Sequence, residues 1–266
     1  MNKWMLILVL GIVACANWCH AAPVRVDEKD SREIVRRAWQ SYYSLKKQGL
    51  LEFRCNALPD WDSMYKSLKT DTAGRLQLLP MLQKTRFRIV LGPDGASTIS
   101  HESDVAPPDE KIAQRLRDTI GGTEQMLTGF YQTWSQFVFN TLLPDEDSEY
   151  TVVELGGKYR LSYKEGAADI VTTMDHDFRI EQIEVASPQF NAAFKTQWSN
   201  TPKGLLLVAY GAAIKTASAS LSLTVKIEYQ EIEGLELPSA IVATVPAGDG
   251  EVAIPVAFAD YQIKKR

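Results

Sequence analysis

Between Ser31 and Lys47 the apolar residues Ile34, Val35, Ala38, Trp39, Tyr42 and Leu45 recur at three- and four-residue spacing, the period of an amphipathic helix with one dry face. Asp30 or Ser31 is placed to cap its start and Gly49 to follow its end. Leu50 to Ala57 reads as a strand, after which Pro59-Asp60-Trp61-Asp62 opens a second helix with Pro in its first turn. Leu76 to Gln83 predicts a short helical turn. Gly92-Pro93-Asp94-Gly95 is a turn sequence that joins Arg86–Leu91 and Ala96–Ser100 into a hairpin.

Pro107-Pro108 starts the longest helical stretch. Ile112, Leu116 and Ile120 share a face, Gly121-Gly122 interrupts it, and Met126, Leu127, Phe130, Trp134, Phe137, Val138 and Leu142 resume it before Pro144. Beyond Glu149 the period changes to two and stays there. Leu221, Leu223, Val225, Ile227 and Tyr229 alternate with Ser222, Thr224, Lys226 and Glu228, as Tyr159, Leu161 and Tyr163 do with Lys158, Arg160, Ser162 and Lys164. Turn sequences at Gly156-Gly157, Glu165-Gly166, Asp175-His176-Asp177, Ser199 to Gly204, Glu233-Gly234 and Gly248-Asp249-Gly250 cut this half into eight or nine antiparallel strands. Such a sheet is apolar on one face only, and the helices of the N-terminal half are the material that covers it. The expected fold class is α+β: an open, strongly curved antiparallel sheet, a half-barrel, with helices packed in its concave face.

The first residues belong to another category. Met1-Asn2-Lys3 is a short positive leader, and Trp4 to Val13 is an apolar run too brief to cross a bilayer, which needs about 20 residues. Residues 1–21 therefore read as a cleaved export signal, with Cys19-His20-Ala21 offering small residues before Ala22-Pro23. Ile12-Val13-Ala14-Cys15 is the alternative exit, a lipobox that would leave Cys15 lipidated and the protein tethered to a membrane. Either way the expected location is the periplasm or the extracellular space, with residues 22–266 forming one domain. After ordinary cleavage Cys55 stands alone, so no intrachain disulfide staples the core. Loss of the signal removes one positive charge from a formal net charge of −4, and a mildly acidic surface excludes nucleic acid as a partner.

Candidate chemistry is sparse. Only His101 and His176 remain after signal removal. Asp175-His176-Asp177 places carboxylates beside an imidazole, yet it falls between two strands where Asp favours turn geometry. Gly95-Ala96-Ser97-Thr98-Ile99 lacks the final glycine of a nucleophile elbow, and no phosphate-loop, dinucleotide, zinc-protease or EF-hand spacing occurs. Asp60/Asp62 and Asp145/Glu146/Asp147 sit at a helix start and in a loop, and Cys55 reads as a small buried hydrophobe. The chain is expected not to be an enzyme and to hold neither metal nor cofactor.

What remains is apolar surface. Leu127, Phe130, Trp134 and Phe137, with Tyr131 and Phe139 alongside, carry more aromatic surface than one helix face needs to seat itself on a sheet. A large core accounts for them one by one. A cavity accounts for them together: lined by Met126, Leu127, Phe130, Tyr131, Trp134, Phe137, Leu223, Val225 and Ile227, it would take acyl chains, each buried CH₂ contributing about 0.8 kcal/mol.

Ile180-Glu181-Gln182-Ile183-Glu184-Val185 ahead of Pro188, Tyr229 followed by Gly234-Leu235-Glu236-Leu237-Pro238-Ser239, and the final strand Val252 to Ile263 resemble the last hairpins of the LolA-like superfamily of periplasmic lipoprotein carriers. The resemblance covers the mature chain in element order. It implies a monomeric carrier or acceptor that binds lipid or an acylated lipoprotein in an apolar hollow, exchanging it with a membrane-bound donor or acceptor protein. The helical stretch from Pro107 to Pro144 is longer than such a carrier needs, and no ligand-gating residue of the family has a match here. The alternative from another class is an envelope protein-interaction or sensor module on the same fold, with a packed core and an exposed apolar patch.

Overall fold

A computed structural model describes residues 24–67, 72–140, 143–145, 147–247 and 250–266. The expected export signal, with Cys15 and Cys19, lies outside the described residues, as do Leu142 and Glu146. The chain is α+β: among the described residues thirteen strands form one antiparallel sheet that does not close on itself, accompanied by a few helices.

The first helix, α1 (Glu28–Ser41), follows a two-residue strand β1 (Val24–Arg25) and starts earlier than Asp30 or Ser31. Asp27 is its cap, its carboxylate accepting from the Asp30 N–H at 2.9 Å. It also ends earlier than Lys47, because Tyr42, Tyr43 and Leu45 leave the helix to bond elsewhere. Tyr43 N–H donates to Leu205 C=O and Leu45 N–H to Val138 C=O. The chain then enters β2 (Leu50–Pro59), so Pro59 closes a strand and Asp60 caps α2 (Trp61–Ser67) through the Ser63 N–H. Next come α3 (Thr72–Leu82), longer than the expected turn, and the hairpin β3 (Arg86–Leu91) and β4 (Ser97–Glu102).

Helix α4 (Glu110–Ser135) is capped by Asp109, which accepts from the Ile112 N–H at 2.8 Å. It runs unbroken through Gly121-Gly122, because its buried residues on both sides of the pair hold one continuous stripe against the protein. A π-helical turn (Gln136–Asn140) prolongs it. Nine strands follow: β5 (Tyr150–Leu155), β6 (Lys158–Glu165), β7 (Ala168–Met174), β8 (Ile180–Ala186), β9 (Phe190–Thr201), β10 (Gly204–Thr216), β11 (Ser220–Ile232), β12 (Leu235–Ala247) and β13 (Gly250–Lys265). Two turns without a strong glycine signal, Ser187–Gln189 and Ala217–Ala219, complete the set, and both are tied by serine or threonine hydroxyls.

The strand order is β1-β5-β6-β7-β8-β9-β10-β11-β12-β13-β2-β3-β4. Strands consecutive in the chain account for all of it except two joins, β1 with β5 and β13 with β2; β2 and β3 pair although α2 and α3 intervene. The join of β13 with β2 unites the two halves of the chain, setting Phe258 opposite Ala57 and Ile263 opposite Phe53. Alternation then gives most of the strands a buried apolar face, and α1, α2, α3 and α4 contribute buried residues to the layer it meets.

One irregularity corrects the phase of β13. Strict alternation from Val252 through Phe258 would point Asp260 inward. Instead the ladder with β2 slips between Ala259 and Gln262, and Asp260 takes a left-handed conformation, φ 57°, steadied by the Asn56 side-chain amide at 2.8 Å. Tyr261 thereby turns inward, its ring centroid 5.5 Å from that of Phe53 and its hydroxyl donating to Pro238 C=O at 2.6 Å. Asp and Asn tolerate this backbone better than other non-glycine residues.

Candidate functional site

Of the nine residues expected to line a cavity, six lie on α4 and its π-helical extension and three on β11, and the rings of Phe130, Tyr131 and Trp134 touch one another. Along α4, Leu127, Phe130, Tyr131 and Trp134 all point toward the sheet and are buried, as is Phe137 in the π turn. Facing them from β11, Val225 and Ile227 are buried, while Leu223 is half-buried; Met126, on the flank of α4, is half-buried too. Phe130 stacks on Phe258 at 6.0 Å between centroids and meets Tyr131 edge-on at 4.9 Å. Phe53 of β2 lies within 6.3 Å of both the Tyr131 and the Trp134 rings. Aromatic pairs at these separations are in favourable contact. The helix thus fills the centre of the apolar face with its own side chains.

Polar atoms inside this layer find partners with one another. Trp134 Nε1–H donates to the Tyr229 hydroxyl at 2.9 Å, which in turn donates to Leu207 C=O at 2.6 Å. The Tyr131 hydroxyl lies 3.6 Å from Cys55 Sγ. Burial removes water from these groups and so penalises their charged forms, which pushes the Cys55 thiol up to about 11 and raises the Tyr131, Tyr229 and Tyr261 hydroxyls above the ordinary tyrosine range. All four therefore keep their protons at neutral pH. None is poised as a nucleophile or general base.

Sequence reasoning missed where the apolar face goes uncovered. Strand register sets Leu221, Ile214, Ala192, Val185 and Ile170 in one cross-strand row, in which Ile170 and Ala192 are buried, Val185 and Ile214 half-buried and Leu221 open to solvent. This row lies one step beyond Leu223, Ala212, Phe194 and Ile183, on the same face as Val225 and Ile227. Leu221 is 47% exposed and Phe190, on that face of β9, is 38% exposed. The alternation of β11 had already assigned Leu221 to the dry side, but nothing local marks the point at which helical cover stops.

A second groove, of about 340 Å³, lies between α4 and the segment leaving β4. Val105, Leu116 and Ile120 form its walls, and the His101 imidazole meets the Glu124 carboxylate at 2.7 Å on its rim. The other histidine, His176, sits in the β7–β8 turn, where Asp175 accepts from the Arg179 N–H at 2.8 Å, and pairs with Glu154 at 3.4 Å. The Asp-His-Asp sequence is thus a tied turn. Among the described residues no group of three or more His, Cys, Asp or Glu side chains is placed to hold a metal, and no helix is long and apolar enough to cross a membrane.

Compared with known proteins, the chain matches no protein family, no curated protein and no solved structure.

Proposed function

We propose that this chain is an exported, non-catalytic carrier or acceptor that binds the acyl chains of lipid or lipoprotein against the apolar face of its sheet, the sheet curving as a half-barrel around the helices. The observation that carries this reading is the uncovered strip of that face. A contiguous apolar patch on a monomer surface marks a binding site, and here Leu221, Phe190, Ile214 and Leu223 extend the floor that α4 covers elsewhere. The likeness of the last hairpins to lipoprotein carriers points the same way, and a membrane-bound donor or acceptor is the partner such a carrier requires.

The test is native mass spectrometry of the gently purified protein together with titration of a fluorescent fatty-acyl probe. Co-purified lipid and saturable probe binding are expected. Failure of both removes the reading.

The close packing beneath α4 favours a second reading, in which the same fold serves as an envelope interaction or sensor module and the exposed strip receives apolar side chains of a partner protein. Capture of a partner that is lost on Leu221→Glu, with no acyl probe bound, would establish it instead.

A further inference from the structure

We propose that the free edge of β4 is a docking site for an extended peptide strand of a partner protein, one with alternating apolar residues and basic flanks. The site is separate from the Leu221 strip and does not rest on the acyl-binding reading.

The sheet is open, so each outermost strand presents a row of backbone groups to its surroundings. At one edge that row is short, because β1 has only two residues. At the other, β4 offers six, Ser97–Glu102, with no Lys, no Pro and no break in its register with β3. The hairpin fixes which of these groups are free. Gly92 N–H donates to Ala96 C=O, and hydrogen-bonded pairs recur at every second residue of an antiparallel ladder. Thr98, Ser100 and Glu102 therefore bond Val90, Arg88 and Arg86, whereas Ser97, Ile99 and His101 turn their N–H and C=O groups away from β3. Among the described residues no backbone partner meets these outward groups.

An edge alone selects no partner, but the groove beside it does. The groove of about 340 Å³ between α4 and the segment leaving β4 begins at His101, and Val105, Leu116 and Ile120 wall it. Helix α4 follows β4 along its length: a Cβ on Gly95 would lie 3.3 Å from Ser135, while His101 at the other end meets Glu124 at 2.7 Å. Edge strand and helix thus form two sides of one channel. A strand laid along Ser97–His101 would satisfy the outward groups and direct every second side chain toward the groove. Added strands gain affinity from such backbone bonds and specificity from such pockets. Exposed acids mark both ends of the edge, Asp94 in the turn before it and Asp104 just after it. Basic residues on either side of the apolar stretch of the peptide complement them.

The probe is a capped, fluorescein-labelled peptide, Lys-Thr-Val-Thr-Val-Thr-Lys, titrated into the mature chain and followed by anisotropy, with amide exchange read residue by residue by NMR. In the free protein the amides of Ser97, Ile99 and His101 should exchange readily while those of Thr98, Ser100 and Glu102 are protected. The peptide should bind saturably and slow the first three about tenfold or more. The same peptide N-methylated at its five central residues should not bind. Ile99→Pro removes one outward N–H and leaves the bonds to β3, and should weaken the probe about three- to tenfold. Should that variant unfold, Val105→Glu at the half-buried groove wall takes its place, weakening the probe with the exchange pattern of β4 unchanged. Absence of peptide binding, indifference to N-methylation, uniform exchange along β4, or full affinity in Val105→Glu overturns the proposal. Protection of the three amides on raising the protein concentration alone gives the edge to a second copy, and protection by the fatty-acyl probe gives the groove to acyl chains; either overturns the peptide as occupant. Failure of the fatty-acyl probe to bind at all, with the peptide still bound, sinks the carrier reading and leaves this docking site standing.

Discussion

Trp134 of α4 donates its indole N–H to the hydroxyl of Tyr229 on β11 at 2.9 Å, and the same hydroxyl passes its own hydrogen on to Leu207 C=O at 2.6 Å. A two-bond relay thus crosses from helix to sheet through a layer that is otherwise apolar. Both tyrosine and indole lie in that layer because their rings contribute burial, and the relay satisfies the polar atoms that come with them.

Removing the middle of this relay leaves two buried groups without partners. Tyr229→Phe is expected to cost about 1–3 kcal/mol of stability, read by urea denaturation, with a shifted Trp134 fluorescence maximum. An unchanged midpoint would mean that water reaches the layer.

Cys55 supplies a pH prediction. Its thiol is raised from an ordinary value of 9.0 to about 11 by burial, so the folded state holds the proton over a range where the unfolded chain releases it. A folded value above the unfolded one contributes stability that is complete below pH 9 and is lost as pH rises toward 11. The buried tyrosine hydroxyls act in the same direction. Thermal midpoints measured from pH 7 upward should be level to about pH 9 and then decline, and Cys55 should resist thiol reagents until the protein unfolds.

Gly204 begins β10 at φ 118°, and a Cβ there would sit 2.8 Å from Ser41 C=O and the Tyr43 N–H nitrogen. Neither backbone atom can give way without moving the end of α1. Gly204→Ala is expected to lose about 2–4 kcal/mol and to loosen α1 in hydrogen exchange. Gly156→Ala, where nothing lies within 4 Å but φ is also positive, should cost only the backbone strain.

At the β13 bulge, Asp260→Gly should be tolerated, since glycine adopts φ 57° freely, whereas Asp260→Val should cost about 1–2 kcal/mol and free the Asn56 amide. Equal melting of the two variants would show that the left-handed backbone is not maintained in solution.

On the uncovered strip, Leu221→Glu combined with Phe190→Ser should cost about 1–3 kcal/mol, because each side chain is only partly in water, and should leave the fold intact. The same pair should weaken the fatty-acyl probe about tenfold or more, a loss of about 1.4 kcal/mol. Unaltered binding would place the ligand elsewhere.

Much of the architecture was legible before any coordinates. The alternation of Leu221, Leu223, Val225, Ile227 and Tyr229 announced a one-faced strand, and Gly92 to Gly95 announced the hairpin that β3 and β4 form. The end of α1 was not legible, since Tyr42 continues its apolar stripe and departs only to bond Phe178 C=O and the Ile180 N–H from its hydroxyl. Nor was the Pro59 strand end, because proline before Asp60 reads equally as a helix start. Of the candidate site, the aromatic membership of α4 was visible and its occupancy was not: Phe130 stacks on Phe258, a residue 128 positions away.

The division has a physical cause. Helical and strand periods, caps and turns are set by neighbours a few residues apart, so they are written into short stretches of the chain and survive without knowledge of the rest. The pairing of β13 with β2, the bulge at Asp260, and the filling of the apolar face by α4 depend on packing between residues far apart in order, whose energies exist only once the layers have met. Composition and spacing could therefore name a greasy helix and a greasy sheet face. Only their docking settled how much of that face is closed by the protein itself and which strip, at Leu221 and Phe190, is left to water.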